Sequence, residues 1–256
     1  MFTHALVRHP AENFANGLTT GNLGHPDIAV AREQHARYCQ ALADCGLELT
    51  ILEADSRYPD STFVEDTAVV AERSVVLTNP GAPSRSGEVA AIAPILSAFF
   101  EQTYSIAPPG TMDGGDICEA GDFFFIGISQ RTNQQGAAQL AEFLRLEGFS
   151  TSTIDLGNIP GILHLKSGLA YLGGTDLVVI DALADHPAFQ GYRIFQVDPS
   201  ENYAANCIRV NDFVLFPAGF PILQAQLEST GYRLILLEMS EFQKMDGGLS
   251  CLSLRF

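Results

Sequence analysis

Residues 65–81 read Glu65-Asp66-Thr-Ala-Val-Val-Ala-Glu-Arg-Ser-Val-Val-Leu-Thr-Asn-Pro-Gly81. Two short apolar runs flank a polar turn, Ala-Glu-Arg-Ser, which is hairpin material. The pattern returns at Gly115-Asp116-Ile-Cys-Glu-Ala-Gly-Asp-Phe-Phe-Phe-Ile-Gly127. It returns again at Ala205-Asn206-Cys-Ile-Arg-Val-Asn-Asp-Phe-Val-Leu-Phe-Pro-Ala-Gly219. In each copy a short strand, a tight turn and a more apolar strand follow in order. Asp66, Asp116 and Asn206 hold equivalent positions.

Helical segments are expected after these hairpins, over 86–100, 133–147 and 221–229. The middle one carries Ala137, Leu140, Ala141 and Leu144 at helical spacing and stops at Gly148. A further strand follows, as at 232–238. A weaker fourth copy runs over 166–181. A fifth needs both chain ends: strand 250–256 beside strand 2–8, a helix over 27–45, and a last strand over 48–52. Repeats of ~20–50 residues mark solenoids, propellers and arrays. Five ββαβ units with the termini paired imply an α/β fold closed into a ring, which removes exposed sheet edges. The competing reading is an ordinary mixed α+β domain with look-alike hairpins.

The chain has 256 residues, 46% hydrophobic and 17% charged, which suits one sizeable core and a single domain over 1–256. Thirty acidic residues against 14 basic ones give a formal charge of −16. Only Lys166 and Lys244 are lysines. Nucleic acid and anionic membrane are poor partners for such a surface, because each phosphate contact needs a cation. A small cationic ligand is easier to accept, although most of the acid is expected to serve solubility. Five scattered cysteines, without paired spacing, suggest reduced thiols in the cytoplasm. The first residues lack a signal peptide's basic end and long apolar stretch, and no apolar run approaches the ~18 residues of a membrane span.

The candidate chemistry lies at the repeat starts. Cys251 follows Asp246-Gly-Gly-Leu-Ser, whose glycines let the backbone turn sharply and present a thiol at a strand start. His164 stands in Leu163-His-Leu-Lys at the entrance to the fourth copy. Asp113 and Asp116 bracket two glycines at the second; Glu65 and Asp66 open the first, after Asp60-Ser-Thr-Phe63. Alone, each has a plain structural reading: a packed cysteine, a core histidine, turn carboxylates capping their own backbone. Their equivalent positions favour function, because equivalent points of a ring converge. A thiol, an imidazole and several carboxylates read as nucleophile, acid/base and cation-binding groups. Arg85 and Arg131 also match, each after a second strand, and two arginines at the rim would clamp a carboxylate. The ligand implied has one cationic and one anionic end, as a basic amino acid has. No two histidines have ligand spacing, so no zinc site is expected.

Taken in order, Phe63-Val-Glu-Asp-Thr, Met112-Asp-Gly-Gly-Asp-Ile, Arg131-Thr-Asn, Leu163-His-Leu-Lys, Ala204-Ala-Asn-Cys and Asp246-Gly-Gly-Leu-Ser-Cys resemble the dimethylarginine dimethylaminohydrolase family. The resemblance runs nearly end to end. It implies the pentein fold, a five-bladed α/β propeller, and hydrolysis of methylarginines to citrulline through a covalent cysteine intermediate. It implies Cys251 as nucleophile, His164 as general acid/base and Asp113 as its acidic partner, where some relatives carry Glu. Asp60 and Asp66 resemble the guanidinium-binding carboxylates, with Glu65 in the same cluster. Arg85 and Arg131 resemble the pair that holds the α-carboxylate. Leu18 and Met245 match positions whose carbonyls receive the α-amino group, and Phe63 one that lines the alkyl stem. Leu18 also falls where relatives have a lid loop. Carboxylates near Cys251 would favour its neutral thiol, so ionisation is expected to await the bound guanidinium. Ammonia release from arginine and a non-catalytic arginine-binding module are the alternatives, and a homodimer stays an option.

Overall fold

The computed structural model describes residues 1–157, 159 and 161–256. Among the described residues, the strands form five three-stranded sheets, as the five-repeat reading expects. Each sheet is built alike: a central strand pairs antiparallel with one neighbour and parallel with the other. Ser74–Leu77 lies between antiparallel Ala68–Val70 and parallel Gln102–Ser105. Phe123–Ile128 lies between Ile117–Ala120 and Ser150–Asp155 in the same senses. Asp176–Ile180 pairs likewise with Leu169–Gly173 and Arg193–Val197, and Phe213–Pro217 with Ile208–Val210 and Arg233–Leu237. The fifth sheet joins the chain ends. His4–Arg8 pairs antiparallel with Leu254–Arg255 and parallel with Glu48–Leu52.

A parallel partner requires a crossover, and helices supply it. The helix α1, Ile28–Asp44, starts where Asp27 accepts the amides of Ala29 and Val30. The second, α2, is Val89–Leu96, and the third, α3, is Gln134–Leu146, capped by Asn133 through the Gly136 amide. The fourth, α4, is Pro221–Ser229. Helix α2 is shorter than the expected 86–100: it starts at Val89, after the 3-10 turn Pro83–Arg85, and ends at Leu96 with Ser97 as its C-cap. The repeat at 166–181 reads weakly for a physical reason. Two 3-10 turns, Asp181–Leu183 and Pro187–Phe189, replace its helix, so no amphipathic stretch marks it.

The chain divides into two compact units. One comprises Met1–Val64 and Ser167–Phe256 and holds three of the sheets. Its core packs Phe14, Tyr38, Leu42, Leu215, Phe242 and Leu252, among others. The other is Glu65–Lys166 and holds two sheets around Val76, Met112, Phe124, Ile126, Leu140 and Leu144. Among the described residues, no helix is long and apolar enough to cross a membrane.

Candidate active site

In the Glu65–Lys166 unit, short 3-10 turns at the strand entrances place the polar groups. Asp66 lies in Val64–Thr67 and Asp116 in Gly114–Asp116. The glycines between Asp113 and Asp116 permit close packing. A Cβ on Gly115 would stand 2.7 Å from His164 Nδ1 and 2.9 Å from an Asp66 oxygen. His164 is buried, and its Nε2 meets Asp113 Oδ2 at 3.1 Å. Asp113 is fully buried, and its other oxygen accepts the Gly81 amide at 2.8 Å. Asp116 accepts the hydroxyls of Ser129 and Thr132 and the amide of Leu165, next to His164.

The electrostatics follow from burial and charge. Burial alone would lower the His164 pKa, but the carboxylates of Asp66, Asp116 and Asp113 reverse this and raise it to about 9. The same pairing acts on Asp66. Burial would raise it, yet His164, Arg85 and the Gly115 amide hold it at about 2. For Asp116 burial wins, and despite His164 and three hydrogen bonds it rises to about 6. His164 is therefore an imidazolium near neutral pH.

Arg85 differs from the rim position read from the sequence. Arg85 is buried, and its guanidinium donates to Glu88 through Nε and Nη2 and to Asp66 through Nη1. Burial would lower its pKa, but Asp66 and Glu88 keep it well above the usual value. A buried guanidinium without such partners would carry a large desolvation cost. Arg131 is more accessible, with Nη1 3.8 Å from Asp113 Oδ2. Glu65, read as part of a guanidinium-binding cluster, receives the ammonium of Lys166 at 2.6 Å. Glu88, Lys166, Ser129 and Thr132 were not singled out by the sequence reading. The Arg85-x-x-Glu88 spacing and the scarcity of lysine were the available signals for the first two.

Asp66, Asp113 and His164 each present one ligand atom within 4.8 Å of the others, a grouping that linear spacing did not suggest. These residues could hold a cation. With His164 protonated, the imidazolium itself supplies that positive charge.

In the other unit, Cys251 lies in the 3-10 turn Ser250–Leu252, just before the last strand rather than at its start. Its sulfur accepts the Gly248 amide at 3.4 Å. Asn206 holds this turn: its amide oxygen accepts the Ser250 N–H at 2.8 Å and its NH2 donates to Ser250 Oγ at 3.1 Å. Tyr203, whose ionisation burial strongly opposes, donates its hydroxyl to the Gly247 carbonyl. Phe63 is buried against Phe14 and Phe242, with ring centroids 5.8 and 6.3 Å away, and Met245 is buried in the same core. Leu18 is exposed, and its backbone N–H donates to both carboxylate oxygens of Asp60. A Cβ on Gly17 would fall 2.3 Å from an Asp60 carboxylate oxygen, so a side chain there would push that carboxylate aside. Asp60 thus serves backbone here.

No family model matches the chain. Known relatives do. A dimethylarginine dimethylaminohydrolase of Pseudomonas aeruginosa is 44% identical over 257 residues, covering all of both chains. One of Streptomyces coelicolor is 31% identical, over 98% of this chain and 96% of its own. The crystal structure of the Pseudomonas enzyme, as a cysteine-to-serine mutant with citrulline bound, matches with a TM-score of 0.97 at 43% identity over the whole of both chains. The N-terminal domain of ArgZ, a cyanobacterial arginine dihydrolase, matches with a TM-score of 0.88 at 19% identity, over 100% of this chain and 97% of that domain. The fold is thus the mixed α/β, five-sheet architecture of arginine-modifying hydrolases. Within it, the chain belongs to the dimethylarginine dimethylaminohydrolase family.

Proposed function

We propose that the protein hydrolyses Nω-methylated arginines, asymmetric dimethylarginine and monomethylarginine, to citrulline and dimethylamine or methylamine. The observation that carries this is the 44% identity, over the whole of both chains, to an enzyme named for that reaction. The His164–Asp113 pair supports it, because a buried imidazolium can donate a proton to a departing amine.

The chemistry assigned to these residues has two halves. The Cys251 thiolate adds to the guanidinium carbon, forming the C–S bond and a tetrahedral species. Collapse breaks the bond to the methylated nitrogen, and His164 protonates the leaving amine. A thiouronium remains on Cys251. His164, now neutral, takes a proton from water as the oxygen adds to the same carbon. The C–S bond breaks, and citrulline and the thiol are released. Asp113 orients the imidazole and stabilises its charged form. Asp60, Glu65 and Asp66 supply the negative field for the guanidinium. Arg85 and Arg131 are the pair assigned to the α-carboxylate. The Leu18 and Met245 carbonyls take the α-ammonium, and Phe63 packs toward the alkyl stem. The reaction as written needs neither metal nor organic cofactor. Five reduced cysteines fit a cytoplasmic setting.

Amine release decides the reading. Dimethylamine from dimethylarginine should far exceed ammonia from arginine in kcat/KM. Higher specificity for unmethylated arginine would reverse the assignment, and tight binding without turnover would point to a non-catalytic module.

A further inference from the structure

The exposed segment that follows Gly17 is tied to the turn at 244–246 by side chains that the proposed chemistry leaves unused. Asp246 Oδ2 accepts both the backbone N–H of Thr20 and its hydroxyl, the latter at 2.9 Å. Thr19 donates its hydroxyl to the Lys244 carbonyl at 3.0 Å. A Cβ on Gly21 would lie 3.1 Å from Asp246 Oδ1, so the chain passes close to this carboxylate over two residues. Asp246 itself has φ +57°, a left-handed conformation that is uncommon for a residue with a Cβ. Strain of that kind persists only where the surroundings hold it, and here it places a carboxylate under Thr20.

The tie connects two particular backbone positions. Leu18, anchored through its N–H to Asp60, precedes Thr19 and Thr20; Met245 sits between Lys244 and Asp246. These are the residues whose carbonyls the methylarginine reading gives to the substrate's α-ammonium. We infer that Asp246 is a positioning residue for substrate selection: by latching Thr20 it holds the Leu18 and Met245 carbonyls as a pair, and so selects substrates with an α-amino group. The inference rests on that reading of the site. Asp246 takes no bond-making or bond-breaking part in that reading.

The test compares dimethylarginine with its des-amino analogue, which lacks only the α-amino group. Glycine adopts φ +57° without strain, so Asp246→Gly removes the carboxylate and leaves the turn. It should raise KM for dimethylarginine about tenfold while kcat stays within about threefold, the signature of lost binding rather than lost chemistry. The des-amino analogue should respond little. Asp246→Asn, which keeps an acceptor oxygen, should restore part of the loss, and Thr20→Val should reproduce the smaller share owed to the hydroxyl. Equal KM increases on both substrates, or a collapse of kcat with KM unchanged, would overturn the inference alone. A wild-type protein that releases no dimethylamine overturns the methylarginine reading and the latch with it.

Discussion

One repeat position is occupied by a carboxylate twice in the Glu65–Lys166 unit and by an amide in the other. The backbone task is the same in all three places. Asp66 accepts the amide of Gly115 and Asp116 that of Leu165, each 49 residues on; Asn206 accepts the amide of Ser250, 44 residues on. A side-chain oxygen at the entrance of one repeat therefore fastens a backbone N–H about one repeat further along. Either residue type serves that purpose. What differs is the neighbour. Beside His164 the position is charged, and it helps hold an imidazolium. Beside Cys251 it is neutral, which spares the thiol that the proposed mechanism ionises from like-charge repulsion. The repeat sets the geometry and the local chemistry selects the charge.

The most severe disruption removes the groups to which the proposed mechanism assigns the reaction. Cys251→Ser and His164→Gln should each lower dimethylamine release by about a thousandfold or more, since the proposed mechanism needs both groups. Retained turnover in Cys251→Ser would refute covalent catalysis. A milder change moves the carboxylate of one unit into the other. Asn206→Asp keeps the acceptor for Ser250 but puts charge beside the proposed nucleophile. Its kcat/KM should fall about thirtyfold, and alkylation of Cys251 by iodoacetamide at neutral pH should slow by about tenfold. An unchanged alkylation rate would make the amide incidental.

The converse exchange, Asp116→Asn, keeps hydrogen-bonding capacity but removes one of the three charges that raise His164. The basic limb of the kcat/KM profile, which reports loss of the imidazolium, should move about one pH unit lower. A limb that stays in place would show that Asp66 and Asp113 suffice. The smallest effect is on stability. A histidine raised from 6.5 to about 9 on folding stabilises fully below pH 6.5, and that contribution disappears as the pH rises through 9. Urea midpoints of the wild type should therefore fall between pH 6.5 and 9, and Asp116→Asn should flatten that slope. A midpoint that climbs over this window would contradict the charge state assigned to His164.

Much of the architecture was legible in the chain. The hairpins at 65–81, 115–127 and 205–219 became antiparallel strand pairs, and the two termini met in one sheet, because alternating and apolar runs carry their own period. The helix of the fourth copy was not there to be read, since 3-10 turns have no such period. Side-chain pairing was less legible. The sequence placed Arg85 at a rim; folding buried it between Asp66 and Glu88. It placed Glu65 with the guanidinium-binding acids, and Lys166, 101 residues away, meets it.

By itself, then, the sequence determined the repeat, the excess of acid, and which residue types stand at each repeat entrance. These are local properties, set by spacing and composition. The tertiary structure alone decided which charges meet. Partners such as His164 and Asp113 lie 51 residues apart, and nothing in linear order carries the distance on which a Coulomb energy or a hydrogen bond depends. The protonation of His164, the engagement of Arg85 and the latch from Asp246 to Thr20 all follow from such distances.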